Sequence, residues 1–148
     1  MYSVFDIAEW FLHKEKMTHK KLQKLCYYAY AWNYTLKGTQ LFNNTKFQAW
    51  VHGPVSPELY RKYAGNGWNE LSPSAIKPFI DKTTEEVLNS VWDTYGDLTG
   101  NSLEALTHSE PPWIKMRFGL RSDQASDREL NDEDVKLYYS SIYEGGEE

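Results

Sequence analysis

The stretch from Thr18 to Gly38 constrains the fold most. Leu22, Leu25, Cys26, Ala29, Trp32 and Leu36 recur at steps of three and four, the spacing of one helix face. Tyr27, Tyr30 and Tyr34 form a second stripe beside the first. A helix that is apolar on several sides needs neighbours on several sides, so this segment is expected to be central and buried. Its ends are marked as well. Thr18 stands where an N-cap hydroxyl belongs, and Gly38 where a left-handed residue closes a helix.

Other elements follow from shorter signals. Ser3 with Asp6 three residues on is a variant capping box for a helix carrying Phe5, Ile7, Ala8, Phe11 and Leu12. Thr83 or Thr84 is expected to cap a helix reaching about Tyr95, and Ser102 a short one holding Leu103 and Leu106. Pro111-Pro112 must stop that helix, and a further short helix is expected over Trp113–Leu120. Asn131 should start a last helix carrying Val135, Leu137, Tyr138 and Ile142. Residues 64–82, with Gly65, Gly67, Pro73 and Pro78, read as a loop with a short extended piece near Ile76–Ile80.

Between Gly38 and Val51 the helical period is lost, and Phe47, Trp50 and Val51 suggest an extended segment. The stretch WVHGPVSPELY (50–60) then fixes a turn between two large aromatics. Gly53 precedes Pro54, which disfavours the helical region, and glycine alone takes positive φ there at little cost. Ser56-Pro57 reads as N-cap and first residue of a short helix, Pro57 to Tyr63. The rigid turn lowers the entropy of holding Trp50 and Tyr60 in place. A second proline–aromatic element, LEALTHSEPPW (103–113), sets Pro111-Pro112 between His108 and Trp113.

The sum is a mainly α chain: one compact helical domain over residues 1–143, of about five to six helices, with a short extended segment near residues 40–51. An acidic flexible tail is expected over 144–148. A length of 148 residues suits one domain, and a chain of this size buries roughly 70% of its unfolded surface.

Composition excludes several function classes. The one cysteine, Cys26, forms no internal disulfide, and no segment of the sequence is apolar enough to span a membrane, so a cytoplasmic protein is expected. Of the net charge of −5, residues 122–148 contribute −7, with nine acids against Arg128 and Lys136, which leaves +2 elsewhere. Nucleic-acid binders are usually strongly basic. The run HKEKMTHKKLQK (13–24) carries five lysines but no arginine and no interleaved aromatic, and it reads as a solvated helix junction before it reads as a phosphate track. His13, His19, His52 and His108 show no metal-ligand spacing, so neither a metal nor a cofactor is expected. Cys26 lies on the apolar stripe and reads as a small core residue rather than a nucleophile. No catalytic residues are assigned. Six Trp, eleven Tyr and six Phe instead supply residue types that dominate both cores and partner interfaces.

Three segments together resemble a known family, the Panacea domain or SocA-like antitoxin domain of phage- and prophage-associated proteins. They are the helix start Lys21-Leu22-Gln23-Lys24-Leu25-Cys26-Tyr27-Tyr28, the turn element Ala49 to Tyr60, and Leu103–Leu106 followed by Thr107-His108, Glu110 and Pro112-Trp113. Their order and spacing match, and the resemblance spans about residues 3 to 143. It implies a binding module that neutralises a cognate toxin protein by direct contact, or an adaptor that delivers the toxin to a protease. A nucleic-acid-binding regulator and a Cys/His hydrolase are the remaining alternatives. Trp50, His52, Pro54, Tyr60, His108 and Trp113 are the expected partner-binding residues, unless they lock the helices together instead.

Overall fold

The helix foreseen from the double stripe runs through the middle of the molecule. A computed structural model describes residues 1–146. In chain order the elements are α1 (Val4–Lys14), α2 (His19–Lys37), β1 (Gln48–Trp50), β2 (Gly53–Val55) and α3 (Pro57–Tyr63). After a single 3-10 turn at 64–66 come α4 (Lys82–Tyr95), α5 (Gly100–His108), α6 (Pro111–Met116) and α7 (Asp132–Gly146). The architecture is mainly α. Seven α-helices are present among the described residues, against a total of five to six expected; both short helices foreseen are among them, α3 with the expected bounds and α6 at Pro111–Met116 in place of Trp113–Leu120. The expected tail begins inside α7, and Glu147 and Glu148 lie outside the described residues.

α2 packs against α1, α4, α5, α7 and β2. Leu22, Leu25, Cys26 and Ala29 are fully buried on its first stripe, and Tyr27 and Tyr30 are buried on its second. Leu36, the last residue of the first stripe, is exposed. The caps fall largely where the sequence put them. Ser3 makes the full capping box with Asp6, Thr18 accepts from Lys21 N, and Gly38 takes φ 70°. Asn131 Oδ1 accepts from Asp134 N at 3.1 Å.

Several boundaries differ. α4 starts at Lys82, because Asp81 outcompetes the threonines as cap and accepts from Thr84 N at 2.8 Å. α5 is capped by Thr99, three residues before Ser102. Pro111 and Pro112 open α6, where their missing N–H groups cost nothing. The segment 76–80 forms no strand; the nearby pairing is Leu71 N donating to Met17 O at 2.7 Å. In α7 the buried aromatic is Tyr139, four residues after Val135, whereas Leu137 sits off that face and is exposed.

A polar lock holds the centre. Tyr28 and Tyr139 both donate to Glu110 Oε1 at 2.8 Å, and Tyr27 and Tyr139 hydroxyls lie 3.1 Å apart. All four side chains are buried. Burial raises the Glu110 carboxyl pKa and the two tyrosine hydrogen bonds oppose that rise. The lock ties α2, the start of α6 and α7 at one point.

β1 and β2 form an antiparallel hairpin with Gln48 opposite Val55, Ala49 opposite Pro54 and Trp50 opposite Gly53. Val51 and His52 make its tip. The other edge of β1 is covered by chain 128–130, with Ala49 N donating to Arg128 O at 2.7 Å and Leu130 N to Phe47 O at 2.9 Å. Both edges of so short a strand are therefore paired, which keeps the hairpin rigid.

Candidate partner-binding face

The hairpin is pinned to α2 from below. Gln23 is buried, and its amide clamps Ser56: Ser56 N donates to Oε1 at 2.8 Å and Nε2 donates to Ser56 O at 3.1 Å. Ser56 Oγ accepts from Leu59 N at 3.2 Å and so caps α3. Lys24, only 1% exposed, reaches Pro54 O at 3.4 Å. Gly53 takes φ 111°, and a Cβ there would meet Lys24 Cε and Thr107 Oγ1. Glycine is thus required twice, for its backbone conformation and for the close approach of three elements.

Behind the tip, α5 and α6 supply a brace. The His108 and Trp113 rings stack at 4.0 Å and 7°. Trp113 Nε1 donates to Trp50 O at 2.8 Å, and Arg117 Nη1 to Ala49 O at 3.1 Å. Burial lowers the His108 pKa; Glu104 raises it, while Lys24 and His52 lower it further. Glu104 joins the tip to α2, 2.7 Å from Lys20 Nζ and 3.2 Å from His52 Nδ1. Partial burial pushes the Glu104 pKa up, yet the hydrogen bonds from Lys20 and His52 hold it below the ordinary carboxylate value.

The outer side of the hairpin is a ridge between two grooves, and Trp50, His52 and Val55 line both. One groove, about 570 Å³, is closed by Ala125, Ser126 and Asp127. The other, about 340 Å³, lies between the hairpin, α2 and Tyr60, Ala64, Gly67 and Trp68. Trp50 meets Tyr60 edge-on at 5.0 Å, and Tyr60 lies 5.6 Å from the His19 ring. Trp68 is 79% exposed, with Lys20 Nζ 5.5 Å from its ring centroid.

The six expected partner-binding residues therefore divide. Trp50, His52 and Tyr60 gather on the accessible ridge. Pro54 is buried beneath it, and the half-buried pair His108–Trp113 braces it from behind. Trp68 belongs to the same face but sits in a loop whose sequence carried only turn signals. Lys24 and Gln23 read in the sequence as exposed polar positions of a helix, and only the hairpin above them explains their burial.

Other readings meet specific obstacles. Cys26 is fully buried, and burial drives its thiol pKa up, away from the thiolate a nucleophile needs. The lysine run is neither a free phosphate track nor a merely solvated junction. Lys24 is buried, Lys20 pairs with Glu104, and Lys21 Nζ donates to Gly96 O at 2.6 Å. Lys14 Nζ lies over the Trp10 ring at 4.8 Å. Among the described residues no three His, Cys, Asp or Glu side chains gather as a metal site, and no helix is long and apolar enough to cross a membrane.

A helical domain whose three motif segments converge behind one presented hairpin belongs to a definable class. The family model described as antitoxin SocA-like, Panacea domain, matches residues 22–114, and the chain belongs to that family. Antitoxin SocA of Caulobacter vibrioides (strain NA1000 / CB15N) is 34% identical over 105 residues, covering 62% of this chain and 55% of the relative. The chain thus spans about half the length of the curated relative it matches. No solved structure matches the chain.

Proposed function

We propose that the protein is an antitoxin that neutralises a companion toxin by binding it directly, with the ridge of Trp50, His52 and Tyr60 as the contact face. Family membership over residues 22–114 carries this reading. Physical chemistry agrees with it. Binding is strongest where contact residues are held in place before the partner arrives, because less ordering entropy is then lost on association. Here a buried amide clamp, a buried lysine and a stacked His–Trp pair fix a hairpin that presents aromatic side chains, the residue types that dominate interface energies. His108, Pro54 and Trp113 act as the frame of that face.

The test is genetic and direct. The open reading frame next to this one is expressed alone and then together with this chain. Growth arrest relieved by co-expression, with the two proteins co-purifying, is the expected outcome. A toxic neighbour that arrests growth equally in both cases would end the reading. Loss of rescue in a host lacking its energy-dependent proteases, with binding intact, would convert the role to that of an adaptor for proteolysis.

A further inference from the structure

The groove between α2 and the hairpin has an unusual floor. Lys24 lines it, is almost wholly buried, and has one long hydrogen bond, 3.4 Å to Pro54 O, for three ammonium donors. Glu104, the carboxylate whose charge acts on Lys24, is already engaged by Lys20 and His52. Lys20 also lines the groove, and among the described residues none of its lining side chains is acidic. The walls are Trp50, Tyr60, Val55 and Trp68. A buried ammonium with so little compensation is costly, and an apolar residue of the same length would be better tolerated. Desolvation lowers the Lys24 pKa to about 7, Glu104 raises it and Lys20 lowers it further. The groove therefore offers an under-satisfied cation at the bottom of an aromatic slot.

We propose that this groove receives a carboxylate side chain of the partner segment, an Asp or Glu next to an apolar residue, the carboxylate pairing with Lys24 Nζ while the apolar neighbour packs on Trp50, Tyr60 and Trp68. A carboxylate suits the site better than a phosphate group. One buried ammonium is offered beside a half-buried lysine already paired with Glu104, with no arginine fork, which is the usual partner for phosphate oxygens. That the partner is a toxin rests on the function proposed above; the recognition of a carboxylate does not.

The experiment uses the intact chain and phenylacetate as probe, with phenylacetamide as its neutral isostere, followed by NMR at the tryptophan indole N–H signals. Phenylacetate is expected to bind saturably at roughly 1–10 mM, at least about tenfold more tightly than the amide, and to shift Trp50 and Trp68. In Lys24→Met, whose side chain has similar length, the acid should fall to the level of the amide. Equal binding of acid and amide to the wild type, or binding of neither, overturns the proposal without any variant. So does displacement of phenylacetate by an equimolar amount of inorganic phosphate. In the growth assay, folded K24M should lose rescue that the wild type provides. Wild type that binds phenylacetate but rescues from no toxin removes the antitoxin reading and keeps the groove; K24M that rescues fully removes the groove's role and keeps the antitoxin.

Discussion

Gly53 lies so close to Lys24 that no side chain fits between them. A Cβ at position 53 would stand 2.8 Å from Lys24 Cε and 2.9 Å from Thr107 Oγ1. These three residues come from the three segments that carry the family pattern. The contact gives this lysine, glycine and threonine a packing role in place of any evident chemistry: they set the height of the hairpin above α2 and α5.

Gly53→Ala combines a clash with a backbone at φ 111°, so it should destabilise the fold by about 2–4 kcal/mol. Urea denaturation of wild type and variant measures this. A loss under about 0.5 kcal/mol would mean that the hairpin lifts away freely and is not the rigid element inferred from its contacts.

Glu110 accepts two tyrosine hydroxyls on a single oxygen, Oε1. Glu110→Gln keeps a carbonyl in that place, whereas Glu110→Ala leaves two buried hydroxyls unpaired. The alanine variant should lose about 2–4 kcal/mol and the glutamine variant under about 1 kcal/mol. Thermal melts of the pair decide it; equal losses would show that the negative charge, not the acceptor, is what matters.

How much of this was legible in the sequence depends on whether the signal was local. The stripes of α2 as far as Ala29 and Tyr30, the Ser3, Thr18, Ser56 and Asn131 caps and the conformation of Gly53 are set by neighbours a few residues away, and the structure has them as expected. The sequence points to Leu137 and not to Tyr139 because the first turns of α7 carry few apolar residues to fix its phase. Lys24, Gln23 and Glu110 are polar side chains whose burial depends on partners 30 or more residues away. Hydropathy assigns such residues to the surface, and only the packed hairpin reverses that. The ridge itself was half visible: Trp50, His52 and Tyr60 from the rigid turn, but not Trp68, which no periodic segment contains.

Lys24 also predicts a pH dependence. Its pKa falls from an ordinary 10.5 to about 7 on folding, mainly through desolvation. Between those values the unfolded chain holds a proton that the folded chain lacks, so stability rises with pH across that window. The penalty is fully present below pH 7 and vanishes above pH 10.5. Lys24→Met removes it, so the variant should exceed the wild type by a few kcal/mol, on the order of the shift, at pH 6, and the gap should narrow towards pH 9.5. Melting temperatures at these two pH values test the sign; a gap that widens with pH would contradict it.

Cys26 is fully buried in the centre of α2, and burial holds its thiol protonated. Labelling by an aromatic disulfide reagent should therefore require global opening. The rate in native buffer should be at least about a thousandfold below that in denaturant, and destabilising the fold through G53A should raise it in proportion to the loss of stability. Rapid labelling of the native protein would place the thiol at a surface and reopen a catalytic reading.

Trp68 separates binding from folding. It is 79% exposed and lies on the groove beside Lys20, so its truncation should shift stability by no more than about 0.5 kcal/mol. As an aromatic anchor of the proposed contact face it should nonetheless matter to a partner, and Trp68→Ala is expected to weaken binding of the proposed toxin by about tenfold or more. Phe118 is the control, because it is equally exposed, at 85%, and lines neither groove of the ridge. Phe118→Ala should leave both affinity and stability unchanged. Titration calorimetry of the three proteins against the purified toxin reads this directly. If loss of Phe118 weakens the complex and loss of Trp68 does not, the partner sits on another side of the molecule, and the ridge is only the means by which three helical segments are held together.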